Sequence, residues 1–243
     1  MDPTLYVLTY ASFAAAASAL GPLPLVGQKS VPRTMIGWAN ALAAGAMLGA
    51  AYVLSEIALT GDALPAAIGA VVGIGFIYGT HRASDTMDLD LNRLSDTRPE
   101  YGYQVVLVNT LHSATEGVAI GIAMASNLGF GAFVAVAIAF HNVPEATILS
   151  AVLHSRGVRL RSAAGIAVVT NVSQILLAVV VHSVVTAAPG LAPGALGFAI
   201  GALTYLVMVE LLPESYKEAG PTSIALVTSI TMGVLVLANG VAG

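Results

Sequence analysis

Residues 103–154 read YQVVLVNTLHSATEGVAIGIAMASNLGFGAFVAVAIAFHNVPEATILSAVLH. Two apolar runs, 103–125 and 129–154, flank a polar break at Ser126 and Asn127. Each is long enough to cross a hydrocarbon core of about 30 Å. A chain in hydrocarbon must satisfy its backbone polar groups internally, so both runs are predicted to be helices. Each carries a His followed four residues later by a Glu: His112 and Glu116, then His141 and Glu145. Four residues is slightly more than one helical turn, so each pair projects from one face.

Six further apolar runs surround these two, at 4–26, 34–60, 63–81, 162–187, 194–214 and 221–241. The fold class predicted is therefore all-α, a polytopic membrane protein of about eight transmembrane helices, with residues 1–243 forming a single transmembrane domain. Composition agrees: 57% of the 243 residues are hydrophobic and 9% charged, more apolar surface than a soluble domain of this size buries. The amino terminus lacks a basic stretch ahead of its apolar run, which predicts a retained first helix rather than a cleaved signal.

Charge sorts the connections. All nine basic residues fall in alternate ones: Lys29 and Arg33; Arg82, Arg93 and Arg98; Arg156, Arg159 and Arg161; Lys217. Basic residues beside spans stay in the cytoplasm, which predicts a multi-pass protein of the cell membrane with both termini extracytoplasmic. The segment 82–102 then forms an acidic cytoplasmic loop between the third and fourth spans, bearing Asp85, Asp88, Asp90, Asp96 and Glu100, and reads as a solvated linker. A net charge of −4 with scattered basic residues argues against a nucleic-acid partner. Glycines four residues apart (45/49, 69/73, 75/79, 117/121, 197/201) predict close helix contacts.

The two His/Glu pairs repeat at an interval of 29 residues, 112 to 141 and 116 to 145. At 1.5 Å per residue, His112 lies about 15 Å from the inner surface and His141 about 18 Å from the outer one, so the imidazoles meet near mid-membrane. Four ionisable groups there are costly unless they pair, neutralise or line a polar cavity. Two neutral imidazoles and two carboxylates form an uncharged complex with a divalent ion, and suit Zn²⁺, Fe²⁺ or Mn²⁺ better than Mg²⁺ or Ca²⁺. The absence of Cys removes thiolate ligands. Pro144, inside the fifth span, frees a backbone carbonyl near Phe140 and His141.

A second tier of candidates lies around these four. Asn142 neighbours His141. Asn171 and Gln174 offer neutral oxygens in the sixth span, or bond across the bundle. Glu210 and Glu214, four apart beside Pro213, are placed to receive a released cation. Glu56 and His182, near the outer ends of the second and sixth spans, are candidates for an external entrance.

At these residues the chain resembles the ZIP family (Zrt- and Irt-like divalent metal transporters), especially its prokaryotic branch. His112-Ser113-Ala114-Thr115-Glu116-Gly117 matches the family's fourth-helix motif, and His141-Asn142-Val143-Pro144-Glu145-Ala146 its fifth. LAAGAMLGA in the second span and MVELLPE in the seventh extend the likeness over most of the chain. The resemblance implies an inverted 3+2+3 helix arrangement around a transport site, and a binuclear centre. The principal metal site would use His112, Glu116, His141 and Glu145. The companion site would fall at Ser113, Asn142 and Gln174, where an amide oxygen and a carboxylate of the family pattern are replaced, so one strong site with a weak or absent neighbour is expected. Thr115 stands where the family often has proline, and the family's His-rich cytoplasmic loop is replaced by the acidic segment.

The reading is a divalent transition-metal transporter, Zn²⁺ first and then Fe²⁺, Mn²⁺ or Cd²⁺, moving metal into the cytoplasm by alternating access. It is not an enzyme, and no cofactor beyond the transported metal is expected. The expected partners are divalent metal ions and the lipid bilayer, with room for a homodimer. An intramembrane metal-dependent enzyme or a metal-binding sensor is the alternative. The first would need a base or nucleophile beside an open metal position, and the second an output domain.

Overall fold

The computed structural model describes residues 2–28, 32–84 and 99–242. Lys29, Arg93, Arg98 and the acidic residues Asp85 to Asp96 lie outside the described residues. Among the described residues every regular element is helical. The elements are α1 (Pro3–Ala17), α2 (Arg33–Ala58), α3 (Ala63–Ala83), α4 (Pro99–Ser126), α5 (Leu128–Ser155), α6 (Leu160–Thr170), α7 (Val172–Ala187), α8 (Ala192–Leu206), a π turn (Val207–Leu211), α9 (Leu212–Ala219) and α10 (Pro221–Ala242). Eight spans result, because short 3-10 turns extend α1, α6 continues into α7, and α8 runs through the π turn into α9.

Polar residues at the breaks set the boundaries. Asp2 caps α1 by accepting from the Thr4 amide, Asp62 caps α3 through the Leu64 amide, and Asn127 caps α5 through the Phe130 amide. Two spans depart from a simple run. The sixth breaks at Asn171, whose side-chain nitrogen donates to the Ala167 carbonyl and competes with the helix ladder. The seventh widens over Val207–Leu211. Pro213 has no N–H to give the Val209 carbonyl, and its ring crowds that oxygen, which accounts for the expanded turn immediately before it.

Packing partners exchange in pairs. α3 lies along α8 and α2 along α10, while α4 lies along α7 and α1 along α5. These are the contacts that an inverted relation between spans one to three and six to eight would generate. The α3–α8 seam is backbone against backbone: a Cβ at Gly69 would meet the Gly194 carbonyl, one at Gly73 the Phe198 carbonyl, one at Gly197 the Ala66 carbonyl and one at Gly201 the Ala70 carbonyl. The Gly75 and Gly79 pair, expected to pack in the same way, faces open space. The outward surfaces of α3 and α10 present Ile68, Val71, Leu226, Ile230 and Val234. They suit hydrocarbon, whereas water would leave a large apolar patch uncovered.

Hydrogen bonds tie α1, α4, α5, α6 and α7 into one set. Asn142 Nδ2 donates to the Ala14 carbonyl of α1 at 2.8 Å and to Gln174 Oε1 of α7 at 3.0 Å. Ser113 Oγ donates to Asn171 Oδ1 at 2.9 Å, Asn171 Nδ2 donates to Ser18 Oγ at 2.9 Å, and Asn109 Nδ2 donates to Thr170 Oγ1 at 3.0 Å. The other set is α2, α3, α8, α9 and α10, joined by the glycine seams and by Thr228 donating to the Ala41 carbonyl at 3.3 Å. Polar ties between the sets include His141 Nδ1 to the Ala43 carbonyl at 3.3 Å and His112 to Glu210.

Candidate metal centre

The two sets of helices meet along a buried file of acids and imidazoles. His141 Nε2 lies 2.7 Å from Glu116 Oε1 and 3.4 Å from Glu145 Oε2. The other oxygen of Glu145 lies 3.3 Å from His112 Nδ1, and His112 Nε2 lies 3.0 Å from Glu210 Oε2. Glu210 Oε2 in turn lies 3.7 Å from His81 Nε2. The file runs Glu116, His141, Glu145, His112, Glu210, His81, and every member is buried.

Local structure explains this convergence. On α4 and on α5 the four-residue spacing turns His and Glu to one face, and these faces oppose each other. Glu210 arrives from the far set because the π turn shifts its side chain relative to a regular helix. His81 belongs to the last turn of α3.

Ligand atoms fall into two clusters, each with its atoms within 4.8 Å of one another: Glu116, His141 and Glu145, and His81, His112 and Glu210. The four expected ligands therefore do not share one cluster. His112 stands with His81 and Glu210, and Glu145 bridges the two groups. Close approach is not matched by hydrogen bonding. His112 Nε2, both oxygens of Glu116, His141 Nε2, Glu145 Oε2 and Glu210 Oε2 have no directional hydrogen-bond partner among the described residues. Buried polar atoms are nearly always paired. Here their closest partners are one another, in ion-pair contacts of 2.7 Å for His141 with Glu116, 3.0 Å for His112 with Glu210 and 3.4 Å for His141 with Glu145.

The second tier separates. Ser113, Asn171, Gln174 and the Asn142 side-chain nitrogen take part in hydrogen bonds between helices, as described above, while Asn142 Oδ1 is buried with no hydrogen-bond partner among the described residues. Glu210 joins the file. Glu214 accepts from Lys217 Nζ at 2.7 Å, near the end of the span. Glu56 is exposed on α2 and His182 is buried on α7, with no hydrogen bond or ion pair between them among the described residues. Sequence reasoning missed His81, because it adjoins Arg82 at a span boundary. Its signal was a histidine still inside the apolar run.

Fold and file together define a polytopic membrane protein with a buried cluster of nitrogen and oxygen ligands suited to a divalent transition metal. Residues 79–239 match the family described as ZIP Zinc transporter, and the chain belongs to that family, which is one of transporters rather than enzymes. It is also 32% identical over 225 residues to a proposed zinc transporter of Arabidopsis thaliana, an alignment covering 90% of this chain and 36% of the relative. The chain thus spans about a third of the length of that relative.

Proposed function

We propose that the chain is one transporter unit that carries Zn²⁺, or a similar first-row divalent ion, through the His/Glu file by alternating access. The observation that carries this reading is the set of buried His and Glu ligand atoms, gathered within 4.8 Å in two clusters, at the junction of two separately braced helix sets. Three carboxylates and three neutral imidazoles hold more negative charge than one divalent ion cancels, which favours cation occupancy over an empty file. His112, Glu116, His141 and Glu145 ride on the α4–α5 set and bind the cargo. Glu210 and His81 belong to the other set. Sliding or rocking of one set against the other exchanges the partners of His112 and opens the site to one side at a time.

Orientation in the membrane follows from charge. Arg33, Arg82, Arg156, Arg159 and Lys217 lie at helix ends of one face of the bundle. Retention of basic residues in the cytoplasm makes that face internal and places both termini outside, and the proposed uptake in a cell membrane runs toward it. No cofactor besides the cargo enters the cycle.

Reconstitution into vesicles tests the reading. Zn²⁺, Fe²⁺, Mn²⁺ and Cd²⁺ are supplied outside in turn, and saturable accumulation inside, lost in His141→Ala, is the expected result. Tight binding without accumulation in folded protein would leave a binding or sensing role instead.

A further inference from the structure

Asn40 lies on α2's buried face, two turns in from Arg33, and neither its Oδ1 nor its Nδ2 has a hydrogen-bond partner among the described residues. A fully buried amide left this way is costly, and an unpaired pair of donor and acceptor on one side chain calls for a ligand. The amide lines a cavity of about 20 Å³, shared with Asn109, His112, Glu145, Leu149 and Leu211. That volume holds one water molecule or one largely dehydrated ion.

The position of the cavity gives it a role. Asn109 precedes His112 by one turn of α4, and Leu149 follows Glu145 by one turn of α5, both toward the helix ends that bear the basic residues. Asn40 stands about 10 Å from Arg33 along α2. The cavity therefore lies next to the His112 and Glu145 side chains, on the face that the charge rule makes cytoplasmic. On the opposite side of the file a second small cavity, lined by Ala46, Met47, Ala137 and Leu203 around Glu116 and His141, offers no comparable amide.

The geometry points to Asn40 as a neutral ligand for the cargo at a waypoint on the inner side of the file, its carbonyl oxygen replacing one hydration water as the ion leaves His112 and Glu145. This rests on the transport reading. A neutral oxygen suits a waypoint, because a binding group there must be strong enough to admit the ion and weak enough to release it. It also stands on the helix set opposite His112 and Glu145, so motion of one set against the other draws the ion from charged ligands to a neutral one.

Two variants test the assignment, each read by Cd²⁺ equilibrium dialysis on the purified chain and by Zn²⁺ flux in vesicles. Asn40→Asp, nearly isosteric, is expected to bind one additional Cd²⁺ per chain in detergent, a readout that does not depend on transport. Asn40→Leu, which fills the cavity, is expected to lower flux about tenfold, the scale of changes around metal ligands, while Cd²⁺ affinity at the His141 and Glu145 ligands stays at the wild-type value. The inference is overturned if Asn40→Asp binds no extra Cd²⁺, or if Asn40→Leu transports as the wild type does. Equal loss of flux and affinity in Asn40→Leu would make Asn40 a packing residue and overturn it as well. Failure of wild-type flux with an extra Cd²⁺ site in Asn40→Asp would count against the transport reading alone.

Discussion

His141 touches both helix sets: its Nε2 lies 2.7 Å from Glu116 Oε1 on α4, and its Nδ1 lies 3.3 Å from the Ala43 carbonyl on α2. The backbone carbonyl orients the ring when Nδ1 carries the proton, which leaves the Nε2 lone pair for the proposed metal, an arrangement common among ligating histidines. His141→Ala removes a ligand and a contact between the sets together. Zinc affinity in detergent is expected to fall by at least about tenfold, more than the loss of an outer-shell group alone causes. Calorimetric titration of the purified variant measures it.

Glu210 and Glu116 belong to different halves of the file and divide its work. Glu116 belongs to the cluster with His141 and Glu145, while Glu210 belongs to the other helix set and meets His112. Glu210→Gln is therefore expected to slow flux while leaving most of the zinc affinity in place, and Glu116→Gln to reduce both. Parallel flux and binding assays on the two variants show whether the losses separate in this way.

Acid works against the cargo. Imidazole and carboxylate bind metal in their deprotonated forms, so protons and zinc compete for the same lone pairs and binding releases protons. Lowering the pH from about 7.5 to about 5.5, through the ordinary histidine range, is expected to weaken zinc binding and slow uptake from the outer side. Titrations in buffers of different ionisation enthalpy count the protons released.

The glycines of α3 divide into two groups. At Gly73 a Cβ would overlap the Phe198 carbonyl, whereas at Gly75 it would meet nothing within 4 Å. Gly73→Ala is expected to destabilise the protein by about 1–3 kcal/mol, the usual cost of overpacking. Gly75→Ala is expected to be neutral or slightly stabilising, since Ala is the better helix former. Thermal unfolding in detergent compares them.

That contrast marks how far the sequence could be read. Spacing alone makes the 69/73 and 75/79 pairs equivalent, because it fixes the angle between side chains of one helix but not the direction in which its neighbour lies. The eight spans and the two His/Glu pairs were legible because hydropathy and helical period act locally. The pairing of Glu210 with His112 was not, since it depends on a π turn ahead of Pro213 and on contact between helices distant in sequence. His81 and Asn40 escaped for the same reason: a lone polar residue in an apolar run reveals its partners only after the helices pack. Gln174 carried two readings, and packing turned its Oε1 toward Asn142 Nδ2 at 3.0 Å.

Zinc influx into proteoliposomes, measured side by side for the wild type and Glu145→Gln, tests the central claim most directly, because Glu145 joins both halves of the file through His112 and His141. Saturable influx in the wild type and none in the variant is the expected result, with both proteins folded to the same helical content. Equal influx in the two proteins would contradict passage through this site.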